Sequence, residues 1–503
     1  MRKLIYLSAL IFLLSILIAP RIPFQDYPDW IYQAKVFKEI LTSSPQYISE
    51  FSIRPPVVPN SAVTVIMGYM NFIFSPDIAG RIIVVIDFLL IFFVLRKIFK
   101  IGEVSVSIAE SLSLLFTLSV YFFYGFLSFN LGLGLFLLVA LYPLASANRK
   151  IGILIYALIF LGLYYIHFII LFVTVSTLLA FRLILKKHKY PNIKYTLLSL
   201  LPVIVLYTFY LLGPSRDLAS QTIWKYNIAG KIIAYINSVS IIYRFNDFSS
   251  NSEVLFFAGL NIILLVGLIS FLYAQAKGKF REVLVHEYSI IGYAFWVGAL
   301  LTPFQIAGFG YKGDRFFWIG FIFIILATLA LSRPYSISKT RMAVIIVSII
   351  TVVRSLTLLI QGYDDYGVES RLRTAIPRDT LFSSYMVKYD YPEYFPDRGW
   401  FRKIMDKSFP SVVTAHRIPI YLFMERDQIF KGIFKTGIIK VSSADCDPMK
   451  VLRGGNIQNS PECQNLLFMS PGGIGENLIS ETKLRFRNVV LDKEFLYASQ
   501  IQN

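Results

Sequence analysis

Charge is scarce in this sequence. Only 16% of its 503 residues are charged, while 56% are hydrophobic and the mean hydropathy is +0.61. That balance excludes a soluble globular protein. Acidic residues are scarcer still, 31 Asp and Glu against 49 Lys and Arg, for a net charge of +18. Such an excess can mark a nucleic-acid binder. In a membrane protein, however, Lys and Arg gather in cytoplasmic loops beside anionic headgroups, and no nucleic-acid partner is expected. Cysteine is nearly missing: Cys446 and Cys463 are the only two, too few for a zinc cluster or a disulfide-rich scaffold. The chain also lacks an internal repeat and a low-complexity tract. Pro471-Gly472-Gly473-Ile474-Gly475 lacks the Gly-Lys-Ser/Thr ending of a phosphate loop and reads as a turn.

What the sequence has in quantity is apolar runs of about 18 residues or more, each able to cross a hydrocarbon core of about 30 Å. Met1-Arg2-Lys3 precedes the first, 4–20, which ends in Ala19-Pro20-Arg21 without a small-x-small cleavage signature. A retained first helix with a cytoplasmic amino end is therefore expected, rather than a secretory signal. The external loop that follows, 21–77, holds Gln25-Asp26-Tyr27-Pro28-Asp29-Trp30, which places two carboxylates just beyond the end of a span. Asp29 can cap a helix running to about residue 41. Ile31, Ala34, Phe37, Ile40 and Leu41 fall on one face of it, the pattern of a helix lying on the membrane. Pro28 disfavours a helical Tyr27, so Asp26 and Asp29 are not expected to share a helix face. A second apolar stretch, 61–74, reaches about 21 Å as a helix, short for a crossing, and is expected in the outer interface.

With that choice, further spans are expected near 78–95, 105–124 and 131–146, two short ones within 151–185, then 195–212, 254–273, 289–308, 316–331 and 342–360. The total is about eleven. Dense basic clusters such as Arg96-Lys97, Arg149-Lys150 and Lys186-Lys187 then all fall inside, as the positive-inside rule requires. The expected fold is a polytopic α-helical membrane protein over 1–360, multi-pass in the plasma membrane, with interfacial helices in its first external loop. An extracytoplasmic α+β domain over 361–503 follows, with β-rich runs at Ser411-Val412-Val413-Thr414 and Ile418-Pro419-Ile420-Tyr421-Leu422-Phe423. An oxidising exterior permits a disulfide between Cys446 and Cys463, two free buried thiols being the alternative. Closing a loop of that size stabilises a fold by about 3 kcal/mol. Asp87 and Arg354 fall inside the hydrocarbon region, where charge is costly and is usually functional or paired. His188 and His286 fall in basic cytoplasmic loops and need no special role.

A charged start, one span, an external loop with an early Asp, an interfacial helix and an apolar helix led by Pro55-Pro56 together resemble the GT-C superfamily of membrane glycosyltransferases. Tyr124-Gly125-Phe126-Leu127-Ser128-Phe129-Asn130-Leu131-Gly132, Tyr165-Ile166-His167 and Gly313-Asp314-Arg315-Phe316 resemble short motifs of its uncharacterised prokaryotic members. The resemblance covers most of the membrane part. It departs at Trp30, where many relatives carry a His a few residues after the first Asp.

The resemblance implies transfer of a sugar, with inversion, from a polyprenyl-phosphate-linked donor in the outer leaflet. The acceptor is a glycan, lipid or protein, as in assembly of a cell-envelope glycan. Asp26 is then the base that takes the acceptor proton, while for Asp29 catalysis and helix capping both stand. The resemblance fixes no cofactor, and Mg²⁺ or Mn²⁺ dependence stays open. If a divalent cation such as Mg²⁺ or Mn²⁺ takes part, Asp26 and Asp29 are the carboxylates that could reach it. Arg315 and Lys312, in a short external loop, are the candidates for the departing phosphate, with interfacial snorkelling as their alternative. Arg216, Trp224, Tyr226 and Arg244, in the external loop 213–253, suit sugar or headgroup contacts, or an ordinary aromatic belt. His167 suits a structural hydrogen bond or a contact to acceptor or phosphate. The rival reading is a transporter or lipid-linked sugar flippase. Against it stand the lack of visible inverted repeats and of paired Gly/Pro-broken spans. A non-catalytic assembly factor on the same scaffold is a third.

Overall fold

The computed structural model describes residues 1–142, 150–212, 228–245, 251–275, 279–302, 313–332, 337–386, 411–412, 417–430, 439–441, 451, 461–469, 474–492 and 495–501. The protein is mostly helical. The helices begin with α1 (Arg2–Ile18), α2 (Tyr27–Leu41), α3 (Pro45–Glu50), α4 (Ala62–Met70), α5 (Pro76–Phe99), α6 (Val106–Thr117), α7 (Val120–Phe123) and α8 (Leu127–Leu141). They continue with α9 (Lys150–Ile166), α10 (Phe168–Leu183), α11 (Ile193–Leu212), α12 (Ile228–Ser238), α13 (Asn251–Gln275), α14 (Phe280–Val285), α15 (Glu287–Leu301), α16 (Gly313–Ala330) and α17 (Ile337–Ala375). Long apolar runs fold this way because a helix pairs its backbone polar groups within the segment, as a medium without water demands.

Five of these helices, α5, α11, α13, α16 and α17, are long and apolar enough to cross a membrane. Shorter apolar helices, α6, α8, α9, α10 and α15, accompany them. Leu201, Ile204, Val205 and Phe209 of α11 and Ile262, Ile263 and Val266 of α13 are all exposed. Rows of bare aliphatic and aromatic side chains on neighbouring helices suit a bilayer, not water. The run expected as one span over 105–124 breaks after α6 and resumes as the single turn α7, so that Tyr124, Gly125 and Phe126 form a corner.

The bundle has two chemically different ends. At one, the buried Glu110 of α6 receives Arg2 at 3.0 Å, Tyr6 at 2.8 Å and Arg96 at 3.0 Å, and Lys187 pairs with Glu287 at 2.5 Å. At the other, Arg81 of α5 donates to the Ile16 and Ala19 carbonyls at the end of α1 and pairs with Asp77 at 2.7 Å. It thereby caps α1, a role a cation suits at the negative end of a helix. Asn60 joins this second end to the α9–α10 corner: its amide donates to the Tyr164 carbonyl, and its side chain accepts from the Phe168 amide at 2.7 Å.

The carboxyl-terminal part carries the strands. They are β3 (Ser383–Met386), β4 (Ser411–Val412), β5 (Ile439–Val441), β6 (Asn465–Met469), β7 (Phe486–Leu491) and β8 (Phe495–Ile501), with α18 (Pro419–Glu425) and α19 (Glu476–Arg485) between them. A four-stranded sheet runs in the order β3-β6-β8-β7, parallel between β3 and β6 and antiparallel elsewhere, with Leu467 opposite Tyr497. Two loops of the membrane part add strands of their own. β1 (Phe51–Ile53) pairs antiparallel with β5, and β2 (Arg244–Phe245) pairs parallel with β4.

The structure revises several expectations. The helix expected to end near residue 360 runs unbroken from Ile337 to Ala375. Residues 419–425, expected as strand, form α18. A short apolar run cannot be assigned by periodicity, and Pro419 at its first turn favours a helix start. Finally, α2 does not lie on a surface. Ile31 and Ala34 join the core of the bundle, while Tyr32, Val36 and Phe37 join a second core with Leu372, Ile420 and Leu422. Helix α2 is the layer between the two. Only α4 has the expected interfacial character, burying Val63 and Met67 while Ile66, Tyr69 and the following Ile73 stay exposed.

Candidate active site

Helix α2 starts at Tyr27 with Asp26 at its N-cap, Pro28 in the first turn and no side-chain cap bond. Asp29 is therefore a first-turn residue rather than the cap. The helix begins earlier than expected because proline is tolerated where backbone amides have no intrahelical partner anyway. A carboxylate there also meets the positive end of the helix dipole. This register brings the two acids together, against the expectation that they diverge.

What unites them is Arg417, immediately before α18. Its Nη1 lies 2.6 Å from Asp29 Oδ2 and its Nη2 3.9 Å from Asp26 Oδ1. The short approach to Asp29 is off the N–H axis, an ion pair rather than a well-aligned hydrogen bond. Asp29 is fully buried. Burial pushes its carboxyl up, the nearby Asp26 adds to this, and Arg417 opposes it; the balance stands at about 7.

The backbone around Asp26 is fixed by the corner after α7. The Asp26 amide donates to the Tyr124 carbonyl at 3.0 Å and the Gln25 amide to Phe123 at 3.3 Å. Trp30 Nε1 donates to the Gly125 carbonyl at 3.0 Å. Gly125 has φ +69°, and a Cβ there would stand 3.1 Å from the Tyr27 nitrogen and 3.2 Å from Phe24 Cβ. Only glycine combines that backbone with that approach. Trp30 thus ties the acid-bearing helix to the corner.

Arg315 completes the cluster. It lies in the first turn of α16, not in a loop, and is 8% exposed. Its guanidinium sits over the rings of Phe126, at 4.4 Å, and Phe129, at 4.9 Å, and the anions acting on it are Asp314 and Asp26. Its Nη1 lies 3.5 Å from His167 Nε2. Arginine is always a donor, so this contact assigns the Nε2 lone pair to Arg315 and the ring proton to Nδ1. His167 occupies the break between α9 and α10 and packs edge-on against Phe129 at 5.5 Å.

Asp26, Asp29, Arg315 and His167 thus converge, each anticipated from sequence. Lys312, Arg216, Trp224, Tyr226 and Cys446 lie outside the described residues. Arg244 is in β2, opposite Ser411. Cys463 is buried in a separate core with Leu466 and Phe468, and is disulfide-bonded. Asp87 and Arg354 do not pair: Asp87 accepts from Asn130 at 3.1 Å, and Arg354 reaches the Leu115 carbonyl at 3.5 Å. Among the described residues no group of three or more His, Cys, Asp or Glu is placed to hold a metal ion. A divalent cation bridging Asp26 and Asp29 would have to displace the Arg417 guanidinium, so the pair does not fit one as it stands.

The arrangement defines a class of site: a little-exposed carboxylate within electrostatic reach of two guanidiniums, built from loop, corner and helix ends at one end of an apolar bundle. Compared with protein-family models, curated proteins and solved structures, the chain finds no match.

Proposed function

We propose that this protein is a membrane glycosyltransferase, crossing the plasma membrane eleven times through α1, α5, α6 with α7, α8, α9, α10, α11, α13, α15, α16 and α17. The end bearing Glu110, Arg2 and Arg96 faces the cytoplasm, and the end bearing Asp26 faces out together with the carboxyl-terminal domain. The basic residues at the first end support that orientation. The donor is a sugar on a polyprenyl phosphate, and the acceptor a glycan, lipid or protein hydroxyl or amide.

The observation that carries the reading is Asp26 itself, 8% exposed, 3.9 Å from the Arg417 guanidinium and within electrostatic reach of Arg315. The acceptor heteroatom attacks the anomeric carbon as the bond from that carbon to the lipid phosphate breaks. The acceptor proton passes to the Asp26 carboxylate, and the charge left on the phosphate is met by a guanidinium fork. Asp29 is too deeply buried to meet the acceptor and serves as a positioning residue, anchoring Arg417.

Purified protein in nanodiscs, given a polyprenyl-phosphate-linked sugar and an acceptor, should transfer the sugar. Asp26→Asn should lower turnover by about 10²-fold or more while still folding and unfolding cooperatively. Full turnover by Asp26→Asn would remove the base. Lipid translocation by wild-type protein without transfer would favour a flippase.

A further inference from the structure

Below the Asp26 site, within the bundle, α6, α13 and α17 enclose an apolar cavity of about 320 Å³. Its lining includes Leu112, Gly267, Phe271 and Ile346. Ile263, Met342 and Ile346 on its wall are also exposed on the outside of the bundle, so it opens sideways to whatever surrounds the helices. Lys339 marks one end. At the other end, Leu115, Ile241 and Leu268 are shared with a smaller cavity lined by Ser119, Ser240, Tyr243 and Arg354. From Lys339 to Arg354 is about 22 Å along α17.

Arg354 is the unusual member. It is 4% exposed, its Nε has no hydrogen-bond partner and its Nη1 has only a long contact, 3.5 Å, to a carbonyl. Among the described residues it forms no ion pair. The Tyr243 hydroxyl accepts a hydrogen bond from the guanidinium, and the rings of Tyr243, at 5.5 Å, and Phe123, at 6.0 Å, lie beside it. A guanidinium buried within a span without an anion is costly, and its unpartnered Nε–H is a charged donor free to meet a carboxylate oxygen.

We propose that this groove binds a single-chain amphiphile with a compact anionic head, a long-chain carboxylate drawn from the bilayer. The chain lies in the cavity between α6, α13 and α17, and a carboxylate oxygen accepts from the Nε–H of Arg354. The smaller cavity is tight, about 20 Å³, with Leu115, Phe116, Val239 and Trp318 beside Ser119, Ser240 and Arg354, so it suits a compact carboxylate better than a bulky phosphodiester. The Arg354 end adjoins the corner that holds Asp26, through Phe123, but none of Asp26, Asp29, Arg315, His167 and Arg417 lines either cavity, and the proposal does not depend on the transfer reaction.

Binding of labelled palmitate and of hexadecanol, the same chain with a neutral head, to the full-length protein in nanodiscs tests the assignment. Wild-type protein should retain palmitate at least about tenfold more tightly than hexadecanol, the advantage of a charge-assisted pair. Arg354→Gln should bring palmitate down to the level of the alcohol. A Cβ on Gly267 meets nothing within 4 Å, so Gly267→Leu should fold normally, fill the groove and abolish binding of both ligands. Equal wild-type affinity for acid and alcohol, or undiminished binding by Gly267→Leu, overturns the proposal. Should Arg354→Gln fail to fold, the Gly267 variant and the acid–alcohol comparison still decide it.

Discussion

Asp29 gives the structure its sharpest quantitative consequence. Its carboxyl rises from 3.8 to about 7 on folding, a change worth about 4 kcal/mol. In the unfolded chain the group releases its proton near pH 3.8, whereas in the folded protein it holds the proton to about pH 7. Between those limits the folded state binds more protons. The stabilisation is therefore fully present below the lower pH and is lost as pH rises through the upper one. Asp29→Asn removes the titration while preserving shape. Thermal unfolding of detergent-solubilised protein, scanned at one rate from pH 4.5 to 8, should show the wild-type melting temperature falling by several degrees relative to Asp29→Asn. Arg417→Gln removes the group that opposes the rise and should move the decline to higher pH. Asp26→Asn removes a group that contributes to it and should move the decline lower. A wild-type pH dependence that persists unchanged in Asp29→Asn would refute the assignment of the buried charge.

Gly125→Ala should destabilise the protein by about 1–2 kcal/mol, because a side chain is strained at its φ of +69°. A methyl group 3.1 Å from the Tyr27 nitrogen would also push α2 from the corner, so sugar transfer should fall further than stability explains; melting and turnover measured on the same preparation check both. Glu369, fully buried, pairs with Arg21 at 2.6 Å and Arg373 at 2.9 Å. Glu369→Ala leaves two cations without that anion and should cost about 3 kcal/mol. Limited proteolysis should then cut the carboxyl-terminal part sooner, since Arg21 also packs over the Tyr421 ring of α18 at 4.4 Å.

The residues legible in the sequence were those whose chemistry is unusual for their place. Asp26 and Asp29 stood out as acids in an acid-poor chain, Arg315 as a cation at the start of an apolar run, and His167 as one of four histidines. Helix existence was legible for the same reason that hydropathy works at all, since an apolar run has few other ways to satisfy its backbone. Arg417 carried no such mark. It is an ordinary basic residue in an ordinary polar segment, far along the chain from the acids it meets, and only tertiary packing identifies it. The misreading of α2 has the same origin. Its Tyr32 and Val36 lie off the expected apolar face because that helix has two apolar partners, and one of them, α18, was read as strand. The polar contacts agree with this second face: Tyr32 accepts from the Phe430 amide at 2.6 Å, and Lys35 reaches Asp427 at 2.7 Å. The loop 21–77 and the carboxyl-terminal part thus pack together astride α2. It follows that the carboxyl-terminal part is no appendage to the site. It supplies one of the two guanidiniums beside Asp26, so undocking it changes the charge on which the proposed base depends, even though no residue of the bundle moves.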